Sequence, residues 1–244
     1  MTALKDRVAL VTGASRGIGR AVAQAVVGAG GRVVISARTA SDVDAAVRAL
    51  NAATNGSRKV AAGVTGDVRR HEDCRRMVDE AVSEFGRLDI LVNNAGIGAF
   101  EPVAEMAPAT WDAVIETNLS GVFYCTHEAM PHLKAAEGGW VINIGSLAGK
   151  NAFPGGSAYN ASKFGLIGFT EALMQEVRYD DIRVSCIMPG SVATEFGGRD
   201  DSEGADWRIA AEDVARAVLD VLSYPGRSLT SRIELRPSKP PRRN

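Results

Sequence analysis

The chain has 244 residues, 45% hydrophobic and 23% charged, a balance that excludes a largely disordered chain, a collagen-like repeat or a disulfide-dense miniprotein. Twenty-eight basic against 29 acidic residues leave a formal charge of -1, so no global field draws the protein toward nucleic acid or a membrane surface. Cys74, Cys125 and Cys186 are scattered and lack metal-ligand spacing, which predicts reduced, buried thiols in the cytoplasm, with no disulfide and no metal. Lys5, Asp6 and Arg7 lead straight into an apolar run, and no stretch approaches the ~20 apolar residues of a membrane span, so neither a leader nor a membrane partner is expected.

Taken in chain order, strand-length apolar runs alternate with amphipathic stretches. A strand over 7–12 is followed by a glycine-rich turn at 13–17 and a helix over 18–29. Next come a strand at 33–37, a helix from Ser41 to about Asn55, a strand at 59–65 and a helix at 70–85 ending on Gly86. A strand at 88–92 precedes one long helix over 108–136, whose Trp111, Val114, Ile115, Leu119, Val122 and Phe123 recur at helical spacing. Strands at 140–144 and 183–188 flank a helix at 157–179; a helix at 210–223 and a short strand at 231–235 close the pattern. This predicts an α/β fold: a Rossmann-like, doubly wound parallel sheet of about seven strands with helices on both faces, in one domain over 1–235.

Two segments escape the pattern. Residues 189–209 show no clear period and read as a loop beside a site, where Asp200 and Asp201 solvate the chain rather than form an acid/base pair. The tail over 236–244 carries Arg236, Lys239, Arg242 and Arg243, three prolines and no acid. It reads as a frayed solubilising end; the rival, a nucleic-acid arm, rests on those nine residues alone.

Gly13, Gly17 and Gly19 lie between the first strand and first helix, where free N–H groups and the positive helix end can receive a pyrophosphate. An acid near the end of the second strand usually binds the adenosine ribose in NAD-using Rossmann proteins; Ala37 stands at that position, followed by Arg38. Arg16 and Arg38 therefore suit a 2′-phosphate, against the alternative that both are solvated surface residues.

Thr12-Gly13-Ala14-Ser15-Arg16-Gly17-Ile18-Gly19, Asn93-Asn94-Ala95-Gly96, Ser146 and Tyr159-Asn160-Ala161-Ser162-Lys163 resemble, in order and spacing, the short-chain dehydrogenase/reductase family over nearly the whole chain. The sequence looks most similar to short single-domain carbonyl reductases, including the 3-oxoacyl-carrier-protein reductase type. The resemblance implies NADP(H) held by Gly13, Ser15, Arg16, Gly17, Ile18, Gly19 and Arg38. Asp67 and Val68 are implied at the adenine, and Asn94, Ala95, Gly96, Pro189, Gly190, Val192, Thr194, Tyr159 and Lys163 along the rest of the cofactor. Asn93 is placed on the same path, or is a turn residue that only stabilises the fold.

The implied catalytic set is Asn118, Ser146, Tyr159 and Lys163. Tyr159 and Lys163 are four apart on one helix face, so the ammonium can sit near the phenol and lower its pKa. Ser146 follows the fifth strand and can hydrogen-bond the substrate oxygen. His71, His127 and His132 show no ligand spacing and receive no chemistry. The resulting expectation is an NADPH-dependent reductase of a small-molecule ketone or aldehyde. Its rivals are an NADP-dependent alcohol or sugar dehydrogenase and a non-catalytic NADP-binding regulator, which has no use for an activated tyrosine. The unusual C-terminal segment argues against an acyl-carrier-protein substrate. A homo-oligomer is expected, a tetramer by resemblance or else a dimer, because the two long helices carry more apolar surface than one sheet can cover.

Overall fold

A computed structural model describes residues 4–54, 58–136, 138–194, 196 and 206–241. Strands and helices alternate as β1 (Val8–Thr12), α1 (Gly17–Gly28), β2 (Arg32–Ala37), α2 (Ala40–Ala52), β3 (Ala61–Thr65), α3 (His71–Phe85) and β4 (Ile90–Asn93). They continue as α4 (Pro108–Ile115), α5 (Gly121–Ala135), β5 (Trp140–Ile144), α6 (Ser157–Val177), β6 (Arg183–Pro189), α7 (Ala211–Ser223) and β7 (Arg232–Leu235). The strands form one parallel sheet in the order β3-β2-β1-β4-β5-β6-β7, the doubly wound fold the sequence predicts. Chain direction across the sheet reverses between β1 and β4, so the connections leaving their carboxyl ends part to opposite faces and open a crevice there.

Strand periodicity sorts the core into two layers. Ala9, Val11, Val33 and Ile35 pack with Val22, Val26, Val43 and Val218 on one face; Leu10 and Val34 pack with Met77, Val78 and Leu133 on the other. Cys74, Cys125 and Cys186 are buried thiols. Among the described residues, no helix is long and apolar enough to cross a membrane.

One charge sits inside the sheet edge. Asp89, fully buried, accepts from Arg7 at 2.7 Å, from Arg87 at 2.8 and 2.6 Å, and from the Val8 backbone N–H at 2.9 Å. Asp89→Ala therefore strips two guanidiniums of their acid and the Val8 N–H of its acceptor. The expected loss in urea unfolding is about 2–3 kcal/mol, less than for a fully enclosed pair because both arginines are partly exposed.

The long helix expected at 108–136 is interrupted. Residues Glu116–Ser120 form a π-helical turn between α4 and α5. Thr117 Oγ1 bonds the Ala113 carbonyl at 2.7 Å, and the Asn118 amide turns away to the backbone of Ile97. The apolar stripe is correspondingly uneven: Val114 and Val122 are buried, whereas Trp111 and Phe123 face outward. The helix expected at 157–179 ends at Val177 in a short 3-10 turn, Arg178–Asp180. In the 189–209 segment, Val192 and Ile209 pair as a parallel bridge; residues 195 and 197–205, Asp200 and Asp201 among them, lie outside the described residues, as do Asn55 and 242–244.

Candidate active site at the carboxyl edge of the sheet

The crevice at the β1/β4 reversal is a cleft of about 1530 Å³ that runs from the β2 edge to β7. Its floor is built by the glycine turn. Gly13 has φ 64°, and a Cβ there would lie 2.8 Å from Ala95 Cα, so only glycine lets the β1 and β4 loops touch. At Gly19 a Cβ would lie 2.4 Å from Asn94 Nδ2 and 2.6 Å from the Gly13 carbonyl oxygen. Asn94 staples the turn by donating to the Thr12 and Gly13 carbonyls at 2.8 and 3.0 Å, and Thr12 Oγ1 accepts from the backbone N–H groups of Asn94 and Ala95. Helix α1 starts here with no side-chain cap and no acid in its first turn, which leaves its positive end facing the cleft.

At the other end, α6 brings Tyr159 and Lys163 under the loop that follows β5. The Ser146 hydroxyl lines the same cleft as the Tyr159 phenol and accepts from the Ala148 N–H at 3.1 Å. Lys163 is buried and donates from Nζ to the Ile144 carbonyl at 2.9 Å, with Nζ 5.8 Å from the Tyr159 ring centroid. Burial pushes the Lys163 amine down to about 8. Burial also raises the Tyr159 phenol above its ordinary value, opposed by the Ser146 hydroxyl. Desolvation of the buried phenolate dominates at Tyr159, while Lys163 Nζ is directed to the Ile144 carbonyl.

Asn118 is spent structurally. Its Oδ1 accepts from the Ile97 N–H at 2.9 Å, and its Nδ2 donates to the Ile97 carbonyl at 2.9 Å and to Ser162 Oγ at 3.0 Å. A Cβ added at Gly96 would lie 3.3 Å from Asn118 Oδ1 and 3.9 Å from Lys163 Nζ, so the two side chains flank one narrow space.

Of the residues singled out from sequence, Gly13, Ser15, Arg16, Gly17, Ile18, Arg38, Asp67, Val68, Asn94, Ala95 and Gly96 line the cleft. So do Ser146, Tyr159, Lys163, Pro189, Gly190, Val192 and Thr194. Gly19 and Asn118 lie behind its wall. Asn93 does not reach it: the side chain is buried and donates to Thr126 Oγ1 and Asn143 Oδ1, part of a polar chain that continues to Thr170. Asp67 is held by Arg69 at 2.9 and 2.6 Å, a pairing that lowers its carboxyl below the ordinary value.

Several lining residues carried no signal in the sequence. Phe100 and Phe153 come from the connections after β4 and β5, and Phe196 and Trp207 from the one after β6. The tail is a correction: Arg236, Pro237, Pro240 and Pro241 line the cleft instead of fraying. The reason is topological. Strand β7 runs parallel to β6, so it ends at the same rim, where the Gly190 N–H bonds the Leu235 carbonyl at 2.8 Å and hands the chain to the cleft mouth. His71, from α3, and the adjacent His127 and Glu128, from α5, bring their ligand atoms within 4.8 Å of one another, and His71 Nε2 contacts Glu128 Oε1 at 2.5 Å.

The short chain dehydrogenase family model matches residues 7–204. The chain belongs to the short-chain dehydrogenase family. It is 39% identical over 197 residues to a 3-oxoacyl-[acyl-carrier-protein] reductase of Synechocystis sp., covering 80% of this chain and 78% of that one. Among solved structures, it is similar to a metagenomic short-chain oxidoreductase in complex with NADP, with 35% identity and a TM-score of 0.84 over 98% of this chain and 100% of that one. An alcohol dehydrogenase of the archaeon Thermococcus sibiricus complexed with 5-hydroxy-NADP gives a TM-score of 0.89 at 26% identity, covering 97% of this chain and 99% of that one. The protein is an oxidoreductase of this family, acting between CH–OH and C=O groups.

Proposed function

We propose that the protein is an NADPH-dependent reductase of small-molecule ketones or aldehydes, within one dinucleotide-binding and catalytic domain over residues 1–235. The carrying observation is that Tyr159, Ser146 and Lys163 meet in the same cleft as the uncapped start of α1 and its glycine turn. The cradle at Gly13 and Gly19, which a Cβ would fill, fits a pyrophosphate, and Arg16 and Arg38 on the rim fit a 2′-phosphate. When bound, the nicotinamide supplies the hydride. Tyr159 donates its phenolic proton to the carbonyl oxygen, Ser146 hydrogen-bonds that oxygen as charge develops, and Lys163 holds the ribose and the proton path. Asn118 acts by positioning Ile97 and the π-turn. Run in reverse, Tyr159 accepts the proton of an alcohol. NADPH consumption on a panel of ketones and aldehydes tests this reading, and no turnover on any carbonyl refutes it.

Cofactor choice follows from Ala37 and Arg38. Each charge-assisted phosphate contact is worth about 1.5–3 kcal/mol, enough for tenfold or greater preference for NADPH over NADH. The Ala37→Asp, Arg38→Ala double variant should shift that preference toward NADH, chiefly through cofactor binding; equal catalytic efficiency of the wild type with both cofactors contradicts the assignment.

A homo-oligomer is part of the same reading. Trp111, Phe123 and Phe164 are exposed large apolar side chains on α4, α5 and α6, and they support pairing of these helices across a two-fold axis. Light scattering is expected to show a dimer or tetramer at micromolar concentration, and a monomer removes the pairing. The buried thiols suit a reducing, cytoplasmic location.

A further inference from the structure

Three phenyl rings surround the hydroxyl end of the cleft. The Phe100 ring meets Tyr159 edge-on at 5.5 Å and 73°, Phe196 meets it from another side at 5.7 Å and 53°, and Phe153 lies 5.9 Å from Phe100. Glycines seat these rings: a Cβ at Gly98 would lie 2.8 Å from both Phe100 Cζ and Phe196 Cε1, and one at Gly156 would lie 2.5 Å from Phe153 Cε2. Phe100, Phe153 and Phe196 are 41%, 41% and 37% exposed, a partly exposed apolar surface beside a buried phenol.

Among the described residues, Arg236 of the cleft lining is held in an ion pair. Lys150 and Arg236 both bond Glu234, at 2.7 and 2.8 Å, and Asn151 Nδ2 is directed to the Leu147 carbonyl. An acidic substrate arm reaching Arg236 therefore competes with an existing ion pair, while a flat apolar group meets the exposed parts of the three rings that line the cleft.

We propose that Phe100, Phe153 and Phe196 form an aromatic clamp that selects carbonyl substrates bearing an aryl substituent, with the carbonyl oxygen turned to Ser146 and Tyr159. This rests on the reading of Tyr159 as the proton donor. The aryl group fills the space between the three rings, where edge-to-face contacts add to simple apolar burial. A linear alkyl chain fills the same space with less contact and more lost rotamer freedom.

The test compares NADPH-linked reduction of acetophenone, methyl propyl ketone and the N-acetylcysteamine thioester of acetoacetate. The wild type is expected to favour acetophenone over each of the others by about tenfold or more in kcat/KM. Phe100→Ala and Phe153→Ala should lower that ratio by about tenfold, and Phe100→Leu, which keeps apolar bulk, should lower it as well. Val103→Ala, an exposed change outside the cleft, should leave it unchanged. A wild-type ratio near one, or a ratio retained in the phenylalanine variants, overturns the clamp while leaving the reductase reading intact. Should no carbonyl be turned over, calorimetric titration of the NADPH-loaded protein with benzamide and with butyramide decides separately. Tighter benzamide binding that weakens in Phe100→Ala supports the clamp, and equal affinities overturn it.

Discussion

Lys163→Met is expected to melt above the wild-type protein at pH 7 and to lose nearly all turnover. Burial holds the Lys163 amine at about 8 in the folded chain against 10.5 as its ordinary value. Between those pH values the unfolded chain binds a proton that the folded chain does not, so stability rises with pH across this window. Below 8 both states are protonated and the full cost of the buried ammonium is present, about 3 kcal/mol from the gap between the two values. Losing the bond to the Ile144 carbonyl returns about 1 kcal/mol of that, leaving a gain near 2 kcal/mol and a midpoint rise of about 4–8 °C for a chain this size. Thermal unfolding at pH 7 and near pH 10 checks both parts, because the advantage should shrink as the wild type loses its penalty. An unchanged or lower midpoint at pH 7 contradicts the account. The lost turnover, by about a hundredfold or more, places Lys163 among residues whose retention costs stability for the sake of chemistry.

How far the sequence alone carried this picture depended on the distance over which each signal acts. The glycine turn, the strand alternation and the four-residue spacing of Tyr159 and Lys163 are local: Gly13, Gly17, Tyr159 and Lys163 line the cleft, and the alternation sorts the core into its two layers. Asn118 was recognised by its neighbours, but the π-turn that holds it depends on Ile97, 21 positions away, and no helical periodicity reports such a partner. The tail looked unstructured by composition because prolines and like charges oppose regular elements; its placement is decided by where β7 ends beside β6. Phe100, Phe153 and Phe196 come from three loops without a shared period, so only folding brings them around Tyr159. Asn93 shows the converse: its motif suggested a cleft residue, but strand alternation turns the side chain into the core, where Thr126 and Asn143 satisfy its amide nitrogen. The four-residue spacing of Tyr159 and Lys163 reports a neighbouring charge and not the depth of burial that raises the phenol here.

Tyr159→Phe is expected to lower kcat by about 10²–10⁴ while leaving NADPH affinity little changed. The substitution removes one hydroxyl and keeps the ring that packs against Phe100 and Phe196, so the cleft wall should survive. Burial raises the phenol, so at neutral pH it holds its proton and stands ready to donate it. The same shift makes the site a poor base at neutral pH. Reduction should therefore run evenly through neutral pH, and alcohol oxidation should climb toward alkaline pH as phenolate forms. Single-turnover rates of the variant, fluorescence titration with NADPH, and pH profiles measured in both directions check these statements. Retention of more than about a tenth of wild-type turnover removes Tyr159 as the proton donor. Oxidation that is flat from neutral to alkaline pH removes the burial-raised phenol as the controlling group.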